Sequence, residues 1–391
     1  MRYMISAVLG NPQHPEYGDA TIPFPLTREE YDDSLEVLSA LEIGDAVTRD
    51  CIVQSVDSFF TVLHAMEGQT VNVDELDYLA KRLESFDDGE AEQFQAMASM
   101  LKLTDIKDFI NLTFSCQQVT VIADFSDLKR VGQDHYMNLH GGSASMEELE
   151  NLDGYETALL LIESGTGQIT PYGVVYDNGM KLEELYKGQA FPPYFYEAGP
   201  MSVVISMKNN PEKSLWLELP SLDSQIDRAL EKVGIGQTEE LTIAVDWSEI
   251  PADFAGLLCA EPTDLRELNR MCAAIHDLDR EHTKKLWSAV EYARPRYASQ
   301  VQQLAENIDL FDFIPDIQNA AQLGRYMISE SGGFDYDPNL DDFYDFEGYG
   351  RRMLEDQNGK FVQGGYIGYN GDRPLEELMD EYTQDQGMQM L

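Results

Sequence analysis

The sequence predicts an α+β chain, elongated and made of several small α+β domains in two tandem repeat units, 1–196 and 197–391. Amphipathic helix stripes recur about half a chain apart, and short β segments precede and follow them. The third observation is charge. The 391 residues hold 71 Asp and Glu against 27 Lys and Arg, a formal net charge of −44. Hydrophobic residues at 43% and aromatics at 10% are ordinary for a globular protein, so these acids belong to a folded surface rather than a disordered tail.

Each element follows from local pattern. Tyr3, Ile5, Ala7 and Leu9 recur at every second position, the period of a strand, and read as a first β-strand. Thr27 and Glu30 stand in capping-box spacing and open a first helix. Leu76, Leu79, Ala80, Leu83 and Phe86 stripe a second helix starting near Asp74. Leu268, Met271, Cys272, Ile275 and Leu278 repeat that stripe 192 positions later, in a helix starting near Thr263 and Asp264. A short β run (Val119 to Ala123; Phe311 to Ile314) comes next, then a helix leading into a shared glycine, Gly132 or Gly324. Gly- and Tyr-rich extended segments, Tyr172 to Tyr176 and Gly364 to Tyr369, finish each unit.

The same self-comparison pairs Leu112 with Leu304, Ile122 with Ile314 and Asp124 with Asp316 at an offset of 192. It sets Asp153-Gly154-Tyr155 against Glu347-Gly348-Tyr349 at 194, and Leu182 to Leu185 against Leu375 to Leu378 at 193. Upstream, Pro25, Tyr31, Asp32 and Leu35 meet Pro220, Ile226, Asp227 and Leu230 at 195. A nearly constant offset along the whole chain reads as a tandem duplication. Both halves share the charge: residues 1–200 carry 35 acids and 11 bases, and residues 201–391 carry 36 acids and 16 bases.

Such a surface repels phosphates and anionic lipid and attracts basic partners, so neither nucleic acid nor membrane is an expected partner. No apolar run approaches the ~18 residues of a membrane span. Cys51, Cys116, Cys259 and Cys272 lie far apart with no CxxC pair, as expected of thiols in a reducing cytoplasm. His14, His64, His135, His140, His276 and His282 form no HExxH or similar cluster, no carboxylate has an evident partner to tune it, and no phosphate-cradling loop is present. The expectation is a non-enzyme without a cofactor. Asp335, Asp337, Asn339 and Asp341 imitate the start of an EF-hand, but Leu340 stands where the turn glycine belongs and Phe346 where the bidentate Glu belongs. An acidic divalent-ion-binding or protein-interaction module is the alternative reading of this stretch.

Residues 301–350 hold eleven acids and one base, Arg325. Asp312, Asp316, Asp335, Asp337, Asp341, Asp342, Asp345 and Glu347, followed by Glu355 and Asp356, interleave with aromatics such as Phe311, Phe313, Phe334, Tyr336, Phe343, Tyr344 and Phe346. Like charges this dense cost stability, and a cationic partner offsets the cost. Carboxylates about 6 Å apart along a strand or helix face can imitate a sugar-phosphate backbone. Duplex DNA carries one charge per roughly 1.7 Å of axis, so the net charge equals about 75 Å of duplex. A compact chain of this length has a radius of gyration near about 21 Å, too small to lay that charge out in a line, hence the elongated expectation.

Trp216-Leu217-Glu218-Leu219-Pro220, the Leu265 to Leu278 helix, Leu323-Gly324-Arg325-Tyr326, Phe346-Glu347-Gly348-Tyr349-Gly350-Arg351 and Gly365-Tyr366-Ile367 follow one another in the order of a known family. Over roughly residues 200–370 the chain resembles the ArdA antirestriction proteins. The first unit resembles them more faintly, with Ile22-Pro23-Phe24-Pro25 in place of the Trp-Leu-Glu-Leu-Pro run. The resemblance implies a non-enzymatic DNA mimic carried by mobile genetic elements, which occupies the DNA-binding groove of type I restriction-modification enzymes. It implies elongated molecules of small α+β domains that pair as homodimers. In a chain about twice the family's length an internal duplication can stand in for the second subunit, so homodimer and single chain both stay open.

Overall fold

The computed structural model describes residues 3–141, 143–236, 240–258, 264–333 and 335–380. The chain divides into two compact units, Met1–Tyr196 and Glu197–Leu391. The fold is α+β with several small antiparallel sheets.

In the first unit β1 (Ile5–Gly10), β2 (Asp19–Phe24), β3 (Cys51–Ser58) and β4 (Thr70–Val71) form a sheet of order β2-β1-β3-β4. Ile5, Ala7 and Leu9 are fully buried, the inward face that the alternation dictates. Helix α1 (Tyr31–Ala40) joins β2 to β3. The Thr27–Glu30 box does form, with the Thr27 hydroxyl donating to Glu30 Oε2 (2.8 Å) and the Glu30 N–H donating back to Thr27 Oγ1 (3.3 Å). It closes a turn, however, and the helix begins only at Tyr31. Helices α2 (Val73–Glu84), α3 (Asp88–Leu101) and α4 (Ile106–Leu112) follow. Then come β5 (Thr120–Ile122), α5 (Leu128–Leu139), α6 (Met146–Asn151), α7 (Gly154–Glu163), β6 (Gln168–Thr170) and β7 (Gly173–Tyr176), with sheet order β5-β7-β6.

The second unit begins with β8 (Met201–Met207), β9 (Asn210–Leu219), α8 (Asp223–Val233) and β10 (Leu241–Ser248), the strands in order β10-β8-β9. Helices α9 (Ala252–Leu258), α10 (Leu265–His276), α11 (Arg280–Ala293) and α12 (Ala298–Glu306) come next. The unit closes with β11 (Phe311–Pro315), α13 (Ala320–Ser329), α14 (Phe346–Asp356), β12 (Lys360–Val362) and β13 (Gly365–Tyr369), in sheet order β11-β13-β12. Its main core gathers Leu219, Leu268, Met271, Leu286, Leu304 and Phe311, and a smaller cluster of Ile314, Leu323 and Tyr366 lies under α13 and α14. Each such fully buried side chain contributes about 1.5–3 kcal/mol of transfer free energy.

From α2 to β7 the elements of the first unit have counterparts in the second about 192 residues on, whereas β4 and α9 have none. Strand β6 starts at Gln168 and β12 at Lys360; α7 starts at Gly154 and α14 at Phe346. The N-caps correspond too, although Asn and Asp exchange at some of them. Asn72 and Asp264 cap α2 and α10, Asp87 and Asp279 cap α3 and α11, and Asp127 and Asn319 cap α5 and α13. What is kept at each position is a short side-chain acceptor for the first free N–H groups. The register disagrees with the 194-residue pairing of Gly154 with Gly348. Gly154 corresponds to Phe346, and the caps Asp153 and Asp345 correspond to each other.

Two expectations need further correction. Gly132 and Gly324 lie inside α5 and α13 rather than after them, because a neighbouring helix passes against each. A Cβ on Gly132 would meet the carbonyl oxygen of Gly154 at 1.8 Å, and one on Gly324 would meet that of Phe346 at 1.8 Å. The α10 cap is Asp264, while Thr263 lies outside the described residues. Cys51, Cys116 and Cys272 are buried, and Cys259 lies outside the described residues. Among the described residues no helix is long and apolar enough to cross a membrane.

Candidate protein-partner interface

The acidic stretch of the second unit is carried by β11, α13, α14 and the connection between the two helices. In β11 the alternation buries Phe311 and Ile314 and leaves Asp312 exposed, where it accepts a hydrogen bond from Asn370 Nδ2. Asp316 follows the strand in the left-handed region at φ 63°, which Asp tolerates better than most residues, with its N–H donating to the Gly364 carbonyl (3.1 Å).

Between the helices, residues 338–343 form a 3-10 turn. Asp337 caps it, accepting from Asn339 N and Nδ2 at 2.9 Å each, and Pro338 takes the first helical position. Asp345 caps α14 by accepting from Gly348 N (2.8 Å). Asp341 is half-buried. It accepts from Arg325 Nη2 (2.6 Å) and from the Tyr336 hydroxyl (2.7 Å), and these two bonds hold its carboxyl below the usual carboxylate range. The same contacts raise the Arg325 guanidinium and the Tyr336 phenol above their ordinary values. Glu347 pairs with Arg351 at 2.6 Å, one turn on.

Asp335, Asp342, Glu355 and Asp356 are exposed. Between the carboxylates runs a row of rings: Tyr336 and Tyr344 lie 5.6 Å apart, as do Tyr344 and Phe346, and Arg325 lies over Phe346 at 4.5 Å. This row fixes the turn against α13. Phe311 belongs to the core, whereas Phe343 is 84% exposed. Phe334 lies outside the described residues.

The structure thus sorts the sequence-selected carboxylates. Asp337, Asp341 and Asp345 build the turn, Asp312 and Glu347 have polar partners, and Asp335, Asp342, Glu355 and Asp356 stand in solvent. Asp337 spends one oxygen on its own turn and Asp341 spends both on Arg325 and Tyr336, which is not the convergent geometry of an EF-hand. Among the described residues no group of three or more His, Cys, Asp or Glu is placed to hold a metal ion.

Sequence reasoning missed what holds the turn. Arg325 reads as the lone base of an acidic run, and its two roles, ion pair and ring contact, depend on a neighbour 16 positions away. The Asp337 cap was more accessible, because Asp immediately before Pro is a helix-start signal. Also missed were the first unit's equivalents, where Ser145 and Asp153 cap α6 and α7 as Asp337 and Asp345 cap the turn and α14.

Exposed carboxylates on a rigid two-helix support can engage a basic protein surface; they do not by themselves name one. No curated protein matches the chain. Residues 212–368, from within β9 to β13, match the family model of the antirestriction protein (ArdA).

Proposed function

We propose that the chain is a non-enzymatic antirestriction protein whose carboxylates take the place of DNA phosphates in the basic DNA-binding groove of a type I restriction-modification enzyme. The family match over 212–368 carries this reading. The charge of −44 supports it, because a groove that holds a polyanion offers the compensation such a surface needs. Asp312, Asp316, Asp335, Asp337, Asp341, Asp342, Asp345, Glu347, Glu355 and Asp356 form the contact face on the second unit. Asp341 and the two caps serve it by fixing the turn, while Asp335, Asp342, Glu355 and Asp356 are the carboxylates freest to meet lysine and arginine.

We also infer that the two units arose by tandem duplication, so that the chain presents the fold twice. Supporting this are the common 192-residue spacing, the paired caps and the paired buried glycines. Competition between the chain and duplex DNA for a purified type I methyltransferase core tests the function. Displacement of DNA, weakening as salt is raised, is the expected result; simultaneous binding of DNA and chain to the enzyme would refute mimicry.

A further inference from the structure

The two units differ sharply at one corresponding place. In the first unit, the groove between α2 and α4 is occupied by the chain's own cation. Arg82 lies over the Phe114 ring at 4.4 Å and the Tyr194 ring at 4.5 Å, and donates from Nε to Thr113 Oγ1 (3.2 Å) and from Nη2 to the Thr113 carbonyl (3.0 Å). Beside it Lys81 pairs with Asp77 at 2.9 Å.

At the 192-residue spacing, Lys81 and Arg82 become Ala273 and Ala274, Thr113 becomes Ala305, and Phe114 becomes Glu306. Among the described residues the groove between α10 and α12 holds no such cation and has a volume of about 620 Å³. Carboxylates have replaced neutral side chains around it: Asp277 stands for Ser85, Glu306 for Phe114 and Asp309 for Gln117. The first unit's site sets two cations, Lys81 and Arg82, against Asp77, Asp87 and Glu90; the second sets Arg270 against four carboxylates, with His282 replacing Glu90.

Two buried polar atoms of residues that line this groove lack partners among the described residues. Gln302 is 4% exposed and lines the groove, and while its Nε2 donates to Glu306 Oε1 (2.6 Å), its Oε1 accepts nothing. The Arg270 Nε donates to nothing. A buried acceptor left unmade costs about 1–3 kcal/mol, so an arriving donor has something to gain. We infer that the groove between α10 and α12 is a slot for an arginine side chain of a protein partner, replacing from outside the guanidinium that Arg82 supplies internally in the first unit.

The guanidinium would donate to Gln302 Oε1 and lie among Asp277, Glu306 and Asp309, while the backbone carbonyl of the arriving residue accepts from Arg270 Nε. Arginine suits the slot better than lysine because its planar fork donates in several directions at once. The identity of the partner as a restriction-modification enzyme rests on the proposed function; the slot's chemistry does not.

The test uses the full chain and N-acetyl-arginine amide as probe, followed by amide NMR at low salt. Wild type should show shifts at Ala273, Ala274, Gln302 and Ala305. Ala274→Arg, which restores the internal guanidinium, should abolish them, and Gln302→Met should weaken binding about tenfold, the loss of one hydrogen bond to a charged group. Should either variant unfold, the other still decides. Shifts scattered over the acidic surface and unchanged in both variants, or none in the groove, would overturn the slot. Equal binding of N-acetyl-lysine amide would overturn its assignment to arginine. The methyltransferase competition separates the two readings: groove binding without displacement of DNA leaves the slot standing and mimicry refuted, and DNA displacement without groove binding does the reverse.

Discussion

A carboxylate on this chain either holds backbone in place or stands free for a partner, and the two roles respond differently to neutralisation. Composition suggests that removing acids from the 335–347 stretch relieves repulsion and steadies the fold. The structure separates the cases. Asp345→Ala removes the α14 cap and should cost about 1 kcal/mol in denaturant unfolding, whereas Asp342→Asn, with an exposed side chain, should stay within about 0.5 kcal/mol of wild type. Asp341 carries a pH signature. Its folded carboxyl sits below its unfolded value through the bonds from Arg325 and Tyr336, so its contribution is fully present above the unfolded value and is lost as pH falls through the folded one. Asp341→Asn should flatten the acid limb of the stability–pH curve, and an unchanged limb would show that the contact with Arg325 does not persist in solution. These roles were only partly legible in the sequence. Cap positions announce themselves locally, but a carboxylate's tie to an arginine a helix away depends on how two helices meet.

Among the elements, the helix stripes and terminal strands were legible because hydrophobic period is a local property. The Leu76 and Leu268 stripes became α2 and α10, and Tyr172 to Tyr176 became β7. Less legible was the register beyond the shared glycines, since similar tripeptides at Gly154 and Gly348 outweighed the quieter correspondence of caps. The glycines themselves make a sharp prediction. Contact between α5 and α7, and between α13 and α14, leaves no room for a methyl group, so Gly132→Ala or Gly324→Ala must push the helices apart. Each should lower stability by roughly 2–3 kcal/mol in thermal or denaturant unfolding. A paired substitution tests the correspondence from the permissive side. Asp77 accepts the Leu26 N–H at 2.7 Å, and Asn269, 192 positions on, accepts the Ser221 N–H at 2.8 Å. A neutral amide already performs this task in the second unit. Asp77→Asn should therefore fold, with stability within about 1 kcal/mol of wild type despite the lost pair with Lys81, while Asp77→Ala, which leaves that N–H without an acceptor, should cost about 1–3 kcal/mol.

At the scale of the molecule, net charge was plain from composition, but its target was not, because any basic protein surface satisfies an acidic one. The family match narrows the target, and salt provides the physical test. DNA bound in a basic groove gains from release of condensed counterions, so its affinity falls steeply with ionic strength. Carboxylates fixed on a folded surface carry a looser ion atmosphere, and part of their charge is already met by the chain's own cations, as Arg325 meets Asp341 and Arg351 meets Glu347. The chain should therefore lose affinity for the methyltransferase core as salt rises, but with a shallower logarithmic slope than duplex DNA, so that its advantage as a competitor grows with salt. Binding energy spread over many exposed charges also predicts near-silence for a single change such as Asp342→Asn, each exposed pair being worth about 0–1 kcal/mol. Neutralising Asp335, Asp342, Glu355 and Asp356 together, none of them a cap, should weaken inhibition progressively with each substitution and reduce the salt slope in step. Measured displacement curves at several ionic strengths decide it: an affinity indifferent to salt would assign the interface to apolar contact, and complete loss from one of these four changes would belong to a catalytic or metal site.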